Sequence, residues 1–100
     1  MKTVSIVEAL RTPFGRFGGK LKGYSAVELG ALASSALLER ASVNPADVDE
    51  TLFGTALLAA STSVAARQIN FKVGIPADKP SLTVARACCS SMTSIGLGLL

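Results

Sequence analysis

The sequence contains no histidine and no tryptophan. Histidine is the usual general base at neutral pH and the commonest metal ligand, so any such chemistry here must draw on other side chains. Cysteine occurs only twice, at the adjacent positions Cys88 and Cys89. Neighbouring residues lack the geometry of a relaxed disulfide, so no disulfide framework is expected and a reducing compartment fits better. Charge is sparse: 17% of residues, with a net +3 from 10 basic and 7 acidic side chains. The basic residues are spread along the chain, which argues against nucleic acid as a partner. No apolar run approaches the roughly 18 residues of a membrane span. Arg11 interrupts the apolar part of "MKTVSIVEAL", so no secretory leader is expected. These absences point to the cytoplasm, with no membrane or nucleic-acid partner and no metal site.

What is present is apolar and small. Hydrophobic residues make up 49% of the chain, aromatics only 5%. Such a composition can build a core but has little polar surface to cover one, so some faces are expected to lie against something else. One hundred residues fit one small domain or part of a larger one. The last residues lie in an apolar helical pattern with no stop signal, and the chain is read as the front part of a longer protein.

The local patterns alternate between strand and helix. "TVSIVEA" (3–9) is β-branched and alternating and reads as a strand; "RTPFGRFGGKLKG" (11–23) reads as a loop. "YSAVELGALASSALLERA" (24–41) reads as a helix opened by a Ser25/Glu28 capping box, with Leu29, Leu32, Ala33, Ala36 and Leu37 as its apolar face. Asn44 before Pro45 marks a short capped turn. Residues 49–57 read as a strand. Residues 63–74 read as a helix ended by Gly74 and Pro76, 80–87 as a strand and 90–100 as a helix. In the last helix Met92, Ile95, Gly96 and Leu99 share a face, and its apolar character nearly all round predicts burial on several sides. The order β-loop-α-β-α-β-α implies an α/β architecture with a mainly parallel sheet.

"VARACCSSM" (84–92) sets both cysteines at the last strand-to-helix junction. The first N–H groups of a helix have no intrahelical acceptors, and the helix dipole adds partial positive charge there. Both features favour an anionic sulfur, and the same N–H groups can stabilise an oxyanion. In an open α/β sheet such a junction lies at the carboxyl end of a strand, where ligands bind. A cysteine in an apolar sequence is also an ordinary small core residue. Placement alone leaves both readings open, and both thiols.

"VARACCSSMTSIGLG" (84–98) resembles the nucleophile segment of the thiolases, the acetyl-CoA acetyltransferases. "EALRTPFGRFGGKLKGYSAVELG" (8–30) is similar to the thiolase N-terminal segment, and "ARQINFKVGIP" (66–76) to the helix before the nucleophile strand. The three occur in family order across essentially the whole chain. The resemblance implies a thiolase-like α/β fold, a mainly parallel sheet with helices on both faces. It makes residues 1–100 the N-terminal part of the first thiolase domain. It implies that Cys88 is the nucleophile and acyl-thioester carrier, its own N–H a possible oxyanion donor. Cys89 stands where the family has glycine, and Ala65 where it often has proline. The activity implied is Claisen condensation of two acetyl-CoA to acetoacetyl-CoA, or thiolysis of a 3-ketoacyl-CoA in reverse. Coenzyme A thioesters would be substrates, no cofactor would be bound permanently, and the assembly would be a homodimer or homotetramer. The histidine and second cysteine that serve thiolases as bases have no counterpart in these 100 residues, so the segment alone is expected to be inactive. No residue here is assigned to hold coenzyme A.

Two other readings compete. "ACCSS" also resembles the "ACSS" of the related β-ketoacyl synthases, although "RTPFGRFGG" favours thiolase. A non-catalytic scaffold fragment is the third. Among the remaining residues, Arg11 is read as structural, pairing with a carboxylate of the fold. Gly15, Gly18 and Gly19 do not have the spacing of a phosphate-cradling motif and are read as a turn. Arg67 and Gln68 are read as interface or support residues. Ser90 and Ser91 are read as helix caps.

Overall fold

The computed structural model describes residues 3–57 and 64–100. Helix α1 runs over Ala26–Arg40, a single 3-10 turn over Pro45–Asp47 and strand β1 over Thr51–Gly54. Helix α2 follows over Ala65–Val73, strand β2 over Ser81–Val84 and helix α3 over Ser90–Leu97. The start of the second expected helix at Ser63 lies outside the described residues.

The local stop and start signals act as the sequence implies. The Ser25 hydroxyl accepts from the Glu28 N–H at 3.1 Å, and the Glu28 carboxylate accepts from the Ser25 N–H at 3.4 Å, closing the capping box. The Asn44 side chain accepts from the Ala46 N–H at 3.0 Å with Pro45 in the first position of the turn. At the far end of α2, Gly74 takes φ 88°, a left-handed conformation that suits glycine, and its N–H donates to the Asn70 carbonyl.

The two strands are parallel neighbours, Thr51 opposite Ser81 and Gly54 opposite Val84, joined by the α2 crossover. Alternation along a strand sends successive side chains to opposite faces. Phe53 therefore meets α1 and α2, packing on the Val27, Ala65 and Ile69 cluster. Gly54, one residue on, meets α3 on the other face. Helices thus cover both faces of the β1–β2 pair, as expected of this fold class.

Three expectations fail in instructive ways. Residues 3–9 do not form a strand: Ile6 and Val7 are about four-fifths exposed, at 83% and 80%. A strand needs a partner edge, and none pairs with this segment among the described residues. It is tied instead to the end of α1 by Glu8, whose carboxylate lies 3.4 Å from the Arg40 guanidinium.

The second failure is the inward face of α1. Val27 and Ala31 are buried, whereas Leu32 and Ala36 are exposed. The face that packs is the one carrying Gly30. A Cβ there would lie 2.7 Å from the Ile69 side chain and 2.9 Å from the Phe53 ring. A helix approaches most closely where it has least to clear, so the glycine notch overrides the larger apolar stripe.

The third failure is α3, which is not buried on several sides. Met92, Ile95 and Leu99 are exposed, and the docked face carries Ser90 and Ser94. One buried side chain in the core is unexplained by packing: the Asn70 amide is buried with neither its nitrogen nor its oxygen partnered.

Candidate active site

Both cysteines stand on the short connection between β2 and α3. Cys89 is the N-cap of α3, with φ −91° and ψ 4°, and its thiol makes no capping hydrogen bond. Cys88 precedes it. Both thiols are free and exposed. The site therefore lies just beyond the carboxyl end of β2, where strand-to-helix junctions open toward a ligand.

The backbone leading to Cys88 is unusual. Ala87 has φ 49°, in the left-handed region that costs a residue with a Cβ about 1–2 kcal/mol. The turn is closed by the Cys89 N–H donating to the Arg86 carbonyl at 3.0 Å, and by a longer Ser90 N–H bond to the Ala87 carbonyl at 3.3 Å.

Ser90 ties this turn to the rest of the fold. Its buried hydroxyl accepts from the Arg86 N–H at 2.8 Å and donates to the Ala87 carbonyl at 2.8 Å. The Thr55 carbonyl, just past the end of β1, is the second acceptor within reach at 3.3 Å. One side chain thus holds Arg86 and the strained Ala87 and links them to the end of β1. One turn further on, the buried Ser94 hydroxyl donates to the Ser90 carbonyl at 3.1 Å. The expectation that Ser90 and Ser91 cap the helix is corrected. They are the first two residues of α3, and Ser90 braces the loop before it instead of receiving a bond from the helix N–H groups. A side chain at that position points back along the helix, toward the preceding turn.

Gly54 makes the approach possible. A Cβ on it would lie 2.6 Å from the Ser90 carbonyl carbon and 2.6 Å from the Ser91 nitrogen. These are backbone atoms and cannot swing aside. The start of α3 rests directly on β1 because residue 54 has no side chain. Sequence reading passed over Gly54 as an ordinary strand residue. A glycine inside a strand pattern is itself a signal of close backbone approach, and it was available.

Beside Cys89 a groove of about 460 Å³ is lined by Arg86, Met92, Thr93, Gly96 and Leu97. Cys88 is not among the groove's lining residues. The other singled-out residues stay apart from the cysteines. Arg11 packs over the Phe14 ring at 4.9 Å and donates to the Thr12 carbonyl, not to a carboxylate. The Gly15–Gly19 segment forms a turn, with Gly18 at φ 70° and the Gly19 N–H donating to the Arg16 carbonyl at 2.8 Å. Arg67 donates to the Lys79 carbonyl at 3.2 Å and lies over Phe71, which is a supporting role for the loop before β2. Among the described residues no cluster of three histidine, cysteine, aspartate or glutamate side chains could hold a metal ion. No helix among them is long and apolar enough to cross a membrane.

Comparison with known proteins converges on one family. The model of the thiolase N-terminal domain matches residues 4–99. The acetyl-CoA acetyltransferase of Cupriavidus necator is 43% identical over 97 residues, covering 97% of this chain and 25% of that protein. An acetyl-CoA acetyltransferase sequence of Clostridioides difficile is 43% identical over 94% of this chain and 88% of its own length. Among solved structures, human mitochondrial 3-ketoacyl-CoA thiolase in complex with CoA superposes with a TM-score of 0.82 at 40% identity, over 87% of this chain and 22% of that one. The Acat5 thiolase of Ascaris suum in complex with coenzyme A gives 0.83 at 32% identity, over 87% and 23%. The chain thus spans about a quarter of the length of most of the relatives it matches.

Proposed function

Because this chain belongs to the thiolase family, we propose that residues 1–100 form the N-terminal part of the first thiolase domain and supply the acyl-accepting cysteine, Cys88, to a Claisen-type acyltransferase. In the first half-reaction the Cys88 sulfur attacks the acetyl carbon of acetyl-CoA. A new sulfur–carbon bond forms, the bond to coenzyme A breaks, and coenzyme A leaves as the thiol. A second acetyl-CoA, deprotonated at its α-carbon, then attacks the acetyl-Cys88 thioester and releases acetoacetyl-CoA. Run backwards, the same steps are thiolysis of a 3-ketoacyl-CoA. Covalent capture divides one difficult carbon–carbon bond formation into two easier steps.

The observation that carries this reading is the placement of Cys88. An exposed thiol is presented just beyond the carboxyl end of β2 by a strained turn, and that turn is braced by a buried serine. Strain held in place by surrounding hydrogen bonds is characteristic of sites where geometry serves chemistry. Coenzyme A thioesters as substrates are supported by the two solved relatives that hold coenzyme A. The deprotonation steps need a base, and the sequence holds no histidine. The proposal therefore assigns the family's histidine and second cysteine to groups beyond these residues, and residues 1–100 by themselves to an inactive state. Assembly as a homodimer or homotetramer, and residence in the cytoplasm, belong to the same reading. The matched relatives include a protein named as cytosolic and others named as mitochondrial.

The test is an intact-mass spectrum of the full-length protein that carries these residues, after brief incubation with acetyl-CoA, followed by peptide mapping. One acetyl group on Cys88 is the expected result. An acetyl group on Cys89 instead would move the nucleophile by one residue. A folded protein that takes up no acetyl group while its coenzyme A site is saturated would overturn the proposal.

A further inference from the structure

Adjacent cysteines in an exposed turn present a chemistry that acyl transfer does not use. Cys88 and Cys89 are both free and both exposed. The described residues contain no cis peptide bond, so the Cα atoms of the pair are about 3.8 Å apart. A relaxed disulfide wants Cα atoms about 4.4–6.8 Å apart, so a direct sulfur–sulfur bond is disfavoured here. A single larger atom set between the two sulfurs meets no such limit, because it widens the ring that the two side chains must close. Thiolates favour soft, polarisable centres. The Cys89 thiol is not engaged in capping the helix. The groove next to it, with the Met92 and Leu97 side chains among its lining, has room for a planar apolar substituent.

We propose that Cys88 and Cys89 together form a chelating dithiol site for trivalent organoarsenicals, with the arsenic bridging the two sulfurs and its aryl group in the groove beside Cys89. The step is a condensation without redox change. The hydrated arsenical carries two hydroxyl groups on arsenic. Each sulfur forms a bond to arsenic as one arsenic–oxygen bond breaks, and each thiol proton leaves with the departing hydroxide as water. Arsenic stays trivalent throughout. The second sulfur binds intramolecularly, so its effective concentration is set by a tether of one peptide unit, and the pair should outbind either thiol alone roughly a hundredfold or more. By the family resemblance most thiolases have glycine where Cys89 stands, so the site would be a property of this sequence and not of the fold. It does not depend on Cys88 being acylated, and its test reads binding rather than turnover.

The probe is phenylarsine oxide added to the purified protein, with bound arsenical read by intact mass and free thiols counted afterwards. The expected result is one phenylarsenic group on the peptide that carries Cys88 and Cys89, with neither of those two thiols left free. That group should survive excess 2-mercaptoethanol and be removed by 2,3-dimercaptopropanol. In Cys88→Ser and in Cys89→Ser the affinity should fall roughly a hundredfold or more, with the residual adduct lost to the monothiol. Two arsenical groups on that peptide, ready release by the monothiol, or parental affinity in either variant would overturn the proposal. The contrast between monothiol and dithiol is read on the unaltered protein, so it decides the matter even if a variant folds poorly.

Discussion

Helices α2 and α3 each follow a strand or precede one in the same small sheet, yet they are held by opposite means. α2 buries Ala65, Ala66 and Ile69 and packs against Val27 and Phe53 as a conventional apolar element. α3 turns Ser90 and Ser94 inward and leaves Met92 and Ile95 in the open. The first arrangement gains its stability from area removed from water. The second depends on contact between backbones at Gly54 and on the hydrogen bonds of Ser90 to the preceding turn and to the Thr55 carbonyl. The difference teaches where this fold places stability and where it places precision. The α1–α2 face is a core. The α3 face is a mount, and the exposed cysteines sit at its edge.

Substitutions can break this contrast or sharpen it. The largest effect is expected on the core side. Ile69→Ala empties the centre of the Val27–Ala65–Phe53 cluster and should cost about 4 kcal/mol, read from the denaturant midpoint. Gly54→Ala drives a Cβ into the Ser90 and Ser91 backbone and should cost about 3 kcal/mol. Unlike the core variant, it should also displace the start of α3, visible as altered reactivity of Cys88 toward an alkylating reagent under conditions where the protein stays folded.

A smaller loss is expected for Ser90→Ala, about 2 kcal/mol, because the Arg86 N–H loses its acceptor and the turn at Ala87 loses its brace. Its acetylation rate should fall further than that of Ile69→Ala, a core variant that loses more stability, when both are assayed under conditions where they stay folded. Equal rates in the two would show that Ser90 is only structural. Ile95→Ser, on the open face of α3, should change stability by under about 0.5 kcal/mol in the same assay. A large loss there would mean that the face is covered in the working protein, and would turn the mount into part of a second core.

Legibility from sequence followed the range of the interaction concerned. The Ser25–Glu28 box, the Asn44–Pro45 turn and the Gly74 stop involve residues one to four apart, and each was readable before any coordinates. The place of the paired thiols before α3 was readable for the same reason, since strand and helix patterns meet around them. The inward face of α1 was not readable, because the competing stripes are decided by what Ile69 and Phe53 allow at Gly30. Hydrophobicity alone favoured the stripe that includes Leu32.

By itself, then, the sequence determined the order of elements from α1 onward, the caps of α1 and the 3-10 turn, the stop of α2, the family likeness and the position of the paired thiols. These rest on local hydrogen bonds, backbone preferences and residue types that need no distant partner. Tertiary structure decided the rest. It left residues 3–9 without a sheet partner among the described residues and turned the small faces of α1 and α3 inward. It also put Ala87 in a left-handed turn held by a serine that reaches the end of β1. Each of these depends on which backbones can approach within van der Waals contact, and that is settled only when segments far apart in the chain meet.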